Sequence, residues 1–181
     1  MKKINEIFYS LQGEGFFTGT PAVFVRFSGC NLKCGFCDTF HEDGRMMSDR
    51  EIVEEVCKYP CRTVVLTGGE PGLWVDEALL CLLHEAGKYI CIETNGTQEL
   101  PEGIDWVTCS PKEGAELRVK RVDEIKIVYT GQDVSPYLGI PASRHFLQPC
   151  SCKNTEEVVE YIKKHPQWRL SLQTHKLIRI P

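Results

Sequence analysis

The sequence has neither an excess of basic residues nor a long apolar run. Its 21 lysines and arginines are outnumbered by 25 aspartates and glutamates, which gives a formal net charge of −4. This balance provides no basic surface for nucleic acid. The longest apolar run, Ala78 to Leu83, is far shorter than the ~20 residues that cross a membrane. We therefore expect neither a nucleic-acid partner nor a membrane partner.

We also expect no secretory signal, because Met1-Lys2-Lys3 is followed by Ile4, Asn5 and Glu6 and not by a long apolar run. The 10 cysteines are therefore expected to stay reduced or to bind metal, in the cytoplasm. Cys81 and Cys91 lie among apolar residues and are expected in the core. No repeat, linker or low-complexity tract divides the 181 residues, so we expect a single domain over residues 1–181.

Three of the cysteines stand close together after an apolar strand. Cys30, Cys34 and Cys37 have the spacing CxxxCxxC, which is typical of a metal-ligand loop. A structural zinc site needs four protein ligands, and His41 is the nearest fourth. An iron–sulfur cube held by three thiolates instead leaves one iron open for a further ligand. The odd number of thiols disfavours a disulfide, and the zinc site remains the alternative.

Apolar strands alternate with helices along the chain. The patterns predict strands at 4–9, 22–27, 63–67, 89–93, 106–109, 124–129, 145–148 and 168–172. Ser48 and Glu51 predict a capping box at a helix start, and Asn154 is predicted to cap the last helix. Alternation favours a mostly parallel sheet. Because the helices are too few for an eightfold barrel, we expect an α/β fold that is an open partial (β/α) barrel with about six mostly parallel strands and three main helices.

Polar residues and glycine pairs lie at or just after the ends of these strands, where α/β enzymes bind ligands. They include Glu70, Glu93, Ser110, Lys112 and Gln148. A further residue, Arg26, is the lone charge in an apolar strand and needs a partner. That partner is either a substrate carboxylate or a structural carboxylate such as Glu14.

Seven segments together resemble the 7-carboxy-7-deazaguanine synthases, a family of radical S-adenosylmethionine enzymes. They are LQGEG (11–15), CxxxCxxCDT (30–39), TGGEP (67–71), ETNGT (93–97), SPK (110–112), LQP (147–149) and SLQTHK (171–176). The resemblance spans nearly the whole chain and implies conversion of 6-carboxy-5,6,7,8-tetrahydropterin to 7-carboxy-7-deazaguanine, with ring contraction and loss of ammonia, on the route to queuosine and other 7-deazapurines. In that family a [4Fe–4S] cluster cleaves S-adenosylmethionine to a 5′-deoxyadenosyl radical.

The resemblance also implies a role for individual residues. Cys30, Cys34 and Cys37 would hold the cluster, and Thr39 would bind Mg²⁺. The positions that match contacts to S-adenosylmethionine are Phe36, Gly69, Glu93, Ser110, Pro111, Lys112 and Gln148. The positions that match contacts to the pterin are Leu11, Gln12, Gly13, Glu14, Arg26, Thr67, His175 and Pro181. A flavodoxin- or ferredoxin-like electron donor and a homodimer are implied as partners.

The end of the chain supports its assigned role, because Leu177 to Pro181 is apolar apart from Arg179 and lacks the polar tail of a frayed terminus. We expect the terminal carboxylate to accept parallel hydrogen bonds from the amino group and ring N–H of the pterin.

Two other functions remain as alternatives. A glycyl-radical enzyme activase shares CxxxCxxC and a GGE-like strand end, but its substrate would be a protein backbone, whereas the polar LQGEG and SLQTHK segments suit a small heterocycle. A zinc-binding interaction module would be colourless, whereas an iron–sulfur protein is brown.

Overall fold

The computed structural model describes residues 1–35, 37 and 39–181. Within them the chain forms nine strands: β1 (Lys2–Leu11), β2 (Pro21–Phe27), β3 (Arg45–Met47), β4 (Thr63–Gly68), β5 (Tyr89–Thr94), β6 (Trp106–Cys109), β7 (Glu124–Tyr129), β8 (Arg144–Pro149) and β9 (Arg169–Leu170). The same residues form four α-helices: α1 (Asp49–Cys57), α2 (Glu77–Glu85), α3 (Thr155–Lys164) and α4 (Thr174–Ile178). Phe36, predicted to contact the cofactor, lies outside the described residues.

All of these strands belong to one sheet, in the order β3-β1-β2-β4-β5-β6-β7-β8-β9. β1 runs antiparallel to both of its neighbours, and each pairing from β2 onward to β9 is parallel. The two end strands do not pair with each other, so the sheet is an open partial barrel, as predicted. It is wider than the expected six strands, partly because the three-residue β3 is too short to give a periodic pattern.

The helix starts follow from local side-chain chemistry. Ser48 and Glu51 form the predicted capping box at α1, with each side chain bonded to the backbone N–H of the other residue. The side chain of Asn154 does not cap α3, which is not the last helix either. Its amide donates to the carbonyl of Tyr129 and accepts from the N–H of Cys150, because these groups, at the end of β7 and directly after β8, lie within its reach.

The two faces of the sheet differ in composition, as the period of two along a strand requires. On β4 and β5, Val64, Leu66, Ile90 and Ile92 are fully buried in the core under α1 and α2. The alternate residues Val65 and Cys91 face the other way, into a smaller apolar cluster with Phe17, Phe24, Tyr89 and Trp106. We call this second side the inner face. Apolar side chains form its floor, and the next inward positions along β4 and β5 are Thr67 and Glu93.

The cysteines outside the CxxxCxxC loop were only partly predicted. Cys91 is buried, as expected, but Cys81 is exposed, because it lies on the side of α2 away from the buried Leu79, Leu80 and Leu83. Among the described residues, every helix is too short or too polar to cross a bilayer.

Candidate active site

A cavity of ≈ 800 Å³ opens on the inner face at the carboxyl ends of the parallel strands. It brings together residues from the loops after β2, β4, β5, β6 and β8. Among them are the predicted cluster, magnesium and cofactor residues Cys30, Cys34, Cys37, Thr39, Gly69, Glu93, Ser110, Lys112 and Gln148. The predicted cofactor residue Pro111 lines an adjoining pocket of ≈ 310 Å³, which shares Cys34 and Lys112 with this cavity. Parallel strands thus place residues far apart in sequence around one cavity.

The cysteine loop is anchored to the end of β5. The amide of Asn95 donates to Asn31 Oδ1 at 3.1 Å and to Cys30 Sγ at 3.9 Å, and Asn31 donates to Thr97 Oγ1 at 2.8 Å. Burial raises the pKa of the Cys30 thiol, although the N–H of Leu32 opposes the shift. Metal binding would supply the opposing charge that turns such a thiol into a thiolate.

The three thiols line the same cavity, but they do not lie close enough together to form a metal site. In the part of the chain that the structure describes, no three His, Cys, Asp or Glu side chains stand close enough to hold a metal ion. The donor set nevertheless fits an iron–sulfur cube, because soft thiols at this spacing open onto a cavity with room for a further ligand. His41 also lines the cavity.

The turn after β4 holds the cysteine loop from the other side. The N–H of Glu70 donates to the carbonyl of Gly29 at 2.9 Å. A side chain at Gly69 would place its Cβ 3.0 Å from Cys30 N and closer still to the Gly29 carbonyl, so only glycine allows this approach. The buried Glu70 carboxylate accepts from Gly72 N, Thr94 Oγ1 and Asn95 N at 2.6–2.8 Å. Its role is therefore to fix this turn to β5.

A second pocket of ≈ 280 Å³ contains every residue that was predicted to contact the pterin. These are Leu11, Gln12, Gly13, Glu14, Arg26, Thr67, His175 and Pro181. This pocket and the large cavity share a wall, because both are lined by Glu14, Thr39, Thr67 and Glu93. A hard oxygen donor such as the Thr39 hydroxyl suits Mg²⁺ at this junction.

The loop between β1 and β2 is held in the pocket by the end of the chain. The carbonyl of Gly13 accepts from both the N–H and the hydroxyl of Thr174 at 2.9 Å, and the Gln173 amide donates to Glu14 Oε1 at 2.9 Å. Ser10 Oγ donates to the terminal residue Pro181 at 2.8 Å. The Ser10 contact places the last residue of the chain beside the end of β1, although Leu177 and Ile178 before it are each 58% exposed.

Arg26 does not pair with Glu14, which corrects one of the two predicted partners. Its Nε donates to Glu6 Oε1 at 2.7 Å, because Glu6 lies directly opposite on the antiparallel neighbour β1. The guanidinium carbon lies 5.6 Å from the centre of the Phe8 ring, and Phe8 stacks on Phe24 at 5.0 Å. Within the described residues, no side chain or carbonyl accepts from the two terminal nitrogens of Arg26, which leaves that fork for a carboxylate.

Glu14 pairs instead with Lys126, a residue that sequence reasoning missed. Lys126 Nζ lies 2.8 Å from Glu14 Oε2 and 2.8 Å from Glu93 Oε2, and its side chain is 5% exposed. Lys126 lies inside the otherwise apolar run IKIV of β7, and the argument that singled out Arg26, that a charge in an apolar strand needs a partner, would have found it. Gln173, in SLQTHK, was not singled out either.

Lys112 reaches the large cavity from the loop after β6. Its ammonium donates to the carbonyl of Ser110 at 2.9 Å, and the N–H of Ser110 donates to Thr94 at 2.8 Å. Burial lowers the pKa of Lys112, while the Cys34 thiol and the Glu70 carboxylate oppose the shift. A bound cofactor carboxylate would stabilise this cation.

Comparison with known proteins agrees with these features. The profile of the radical SAM superfamily matches residues 24–134. The 7-carboxy-7-deazaguanine synthase of Bacteroides thetaiotaomicron is 69% identical over 180 residues, which cover 99% of each chain. That of Bradyrhizobium diazoefficiens is 42% identical over 205 aligned residues, with 98% of each chain covered. The crystal structure of QueE from Escherichia coli superposes with a TM-score of 0.79 at 30% identity and covers 94% of this chain and 93% of that one.

Proposed function

The chain belongs to the radical SAM superfamily and, within it, to the 7-carboxy-7-deazaguanine synthases, and from this premise we propose which of its side chains serve the reaction. The reaction converts 6-carboxy-5,6,7,8-tetrahydropterin to 7-carboxy-7-deazaguanine with loss of ammonia, in the biosynthesis of queuosine and related 7-deazapurines. A [4Fe–4S] cluster, S-adenosylmethionine and Mg²⁺ are its cofactors.

One observation carries the assignment of the residues. The positions that match the pterin contacts of the family line one pocket, and the described positions that match the cluster and the cofactor, apart from Pro111, line the adjacent cavity. Since Glu14, Thr39, Thr67 and Glu93 belong to both linings, a substrate in the smaller pocket would lie against a cofactor in the larger one. This closeness is the geometry that a radical reaction between them needs.

Cys30, Cys34 and Cys37 would hold the cluster, and S-adenosylmethionine bound to its open iron supplies the radical chemistry. The protein binds and orients the two ligands. The residues that would contact the cofactor are Gly69, Glu93, Ser110, Pro111, Lys112 and Gln148. Thr39 would bind Mg²⁺ through its hydroxyl oxygen.

In the smaller pocket, Arg26 would bind the carboxylate of the pterin through its terminal nitrogens, since a guanidinium presents a planar fork. Glu14 and the terminal carboxylate of Pro181 would accept hydrogen bonds from the amino and ring N–H groups. The stacked Phe8 and Phe24 present flat apolar surface next to Arg26. These contacts would fix the ring at both ends and exclude water from its faces.

The remaining expectations concern the partners and the location of the protein. From the family we expect a homodimer, a flavodoxin- or ferredoxin-like electron donor, and a single radical SAM domain over residues 1–181. The one continuous sheet of the described residues supports the single domain. The ten cysteines in the described residues are all free, which supports a reducing compartment such as the cytoplasm.

An anaerobic assay tests the proposal. Protein reconstituted with iron and sulfide is incubated with 6-carboxytetrahydropterin, S-adenosylmethionine, Mg²⁺ and dithionite, and the 7-deazaguanine product and ammonia are measured. We expect both products in equal amounts from the wild type. Cofactor cleavage without product, or cleavage that needs a protein substrate, would contradict the proposal and favour the activase.

A further inference from the structure

Four residues form a closed ring of hydrogen bonds on the wall between the two pockets, through their side chains and one backbone N–H. Lys126 donates to Glu14 Oε2 and to Glu93 Oε2, each at 2.8 Å. Gln12 completes the ring, since its amide donates to Glu93 Oε1 at 3.2 Å and accepts from the N–H of Glu14 at 3.2 Å. Two of the side chains that face the ligands therefore depend on one ammonium group.

The ring is buried, with side-chain exposures of 5% for Lys126, 18% for Glu14 and 19% for Glu93. Two carboxylates so close together in a buried site repel each other, and one of them takes up a proton unless a cation compensates. Burial alone would raise the pKa of Glu14, but Lys126 beside it, with smaller contributions from the Gln173 amide and from His175, lowers this pKa to about 2. Burial raises the pKa of Glu93, and Lys126 opposes that shift.

Other charged or titratable groups also face the ring, and they do not replace Lys126. Glu124 lies on the same face of β7, and burial raises its pKa to about 7, so it adds negative charge only where it is ionised. His175 on α4 acts on Glu14 in the same direction as Lys126 but more weakly. Cys91 faces Glu93 from the same strand, and Lys112 interacts with Lys126 from the loop after β6. The charge balance of the ring therefore depends mainly on Lys126.

We propose that Lys126 is a positioning residue of the reaction, whose ammonium keeps the Glu14 carboxylate charged and fixed beside Glu93 as a hydrogen-bond acceptor for the pterin. This inference rests on the proposed function, because it takes the smaller pocket as the pterin site. Lys126 itself lines only the larger cavity of the two. It acts on the pterin through Glu14.

The proposal predicts a new pH dependence when the charge is removed. In Lys126→Met, Glu14 remains buried next to Glu93 and loses its cation, so its pKa rises above the ordinary value for a glutamate. A protonated Glu14 no longer accepts on both oxygens. Below the new pKa, the pterin affinity of the variant falls by about tenfold for each pH unit. The wild type does not show this loss of affinity, because its Glu14 stays charged.

The experiment titrates cluster-loaded protein with 6-carboxypterin, the oxidised and unreactive form of the substrate, whose fluorescence reports binding. Dissociation constants are measured for each protein from about pH 5 to about pH 7. The quantity compared is the ratio of the constants of variant and wild type at each pH, because His175 is present in both. We expect this ratio to rise at least tenfold toward the acid end for Lys126→Met.

Three further variants separate the charge from other effects. Lys126→Gln keeps N–H donors without charge and should behave like Lys126→Met. Lys126→Arg keeps the charge and should follow the wild type. Lys163→Met removes an exposed lysine that pairs with Glu160, and it should change nothing.

The outcomes distinguish this inference from the proposed function. If the wild type binds no pterin, the proposed function fails, and this inference fails with it. If the wild type binds but the ratio for both neutral variants stays constant with pH, only the role of Lys126 is refuted. If neither neutral variant folds while Lys126→Arg does, Lys126 serves stability and the positioning role is likewise rejected.

Discussion

Glu6 lies outside both pockets and yet should control how tightly the pterin binds. It lies opposite Arg26 across β1 and β2, and its carboxylate holds Arg26 Nε at 2.7 Å. Phe8 packs against the same guanidinium. In Glu6→Gln the ionic contact is lost, and the long arginine side chain regains rotamers that must be given up again when the substrate carboxylate binds.

The expected rise in KM for Glu6→Gln follows from the cost of ordering the Arg26 side chain on binding. The Glu6 side chain is 50% exposed, so its ion pair with Arg26 contributes little to stability by itself. Ordering a flexible side chain on binding costs about 0.5–1.5 kcal/mol, which corresponds to a rise in KM of roughly 2- to 13-fold. Because Arg26 does not take part in the chemical step, kcat should not change.

Steady-state kinetics under anaerobic conditions, with saturating S-adenosylmethionine, measure both constants. Glu55→Gln is the matched control, since Glu55 forms an exposed ion pair with Lys58 on α1, away from the pocket. The decisive comparison is the double variant with Arg26→Lys, a side chain that has no guanidinium for Glu6 to orient. If Glu6→Gln raises KM equally in both backgrounds, or lowers kcat instead, Glu6 does not act through Arg26.

Three other predictions concern the cluster, the end of the chain and the loop after β1. Cys34→Ala should fold but hold less iron and cleave no cofactor, because two thiolates do not retain a cubane; iron analysis checks this, with the exposed Cys57→Ala as control. A few residues added after Pro181 should lower kcat/KM roughly 10- to 150-fold by displacing its carboxylate, and equal values for an N-terminally tagged protein of matched cluster content would reject that role. Gly13→Ala should weaken pterin binding, because the new Cβ would lie 2.8 Å from His175 Cγ, whereas Gly139→Ala, which meets open space, should not; carboxypterin titration decides.

The parts of the site that follow from local pattern could be predicted from the sequence. Thr67 and Glu93 occur at the ends of apolar strands, and parallel strands bring their carboxyl ends to one edge. The cysteine spacing is a local property as well. For these residues the sequence pattern alone specifies the strand end or the loop on which they lie.

The pairing of charges could not be predicted in the same way. Gln173 and Glu14 are 159 residues apart, and Lys126 and Glu93 are 33 apart, so their contacts depend on how the sheet curves. Arg26 shows the difficulty most clearly, because an unpaired charge predicts a partner without specifying which one. Only the antiparallel register of β1 on β2 selects Glu6.

The loop that carries LQGEG also spans the open side of the partial barrel, which would connect substrate binding to stability. It leaves β1 near one end of the sheet and crosses to the strands at the other end. There the N–H of Gly15 donates to Ser171 Oγ at 2.9 Å, just after β9, and the N–H of Phe16 donates to Glu124 Oε2 at 3.1 Å on β7. Burial raises the pKa of Glu124 to about 7, so this contact lies where a buried carboxyl is costly. The loop that is proposed to contact the pterin thus also links strands near the two ends of the sheet, and mutations that loosen these contacts should weaken pterin binding before they unfold the sheet.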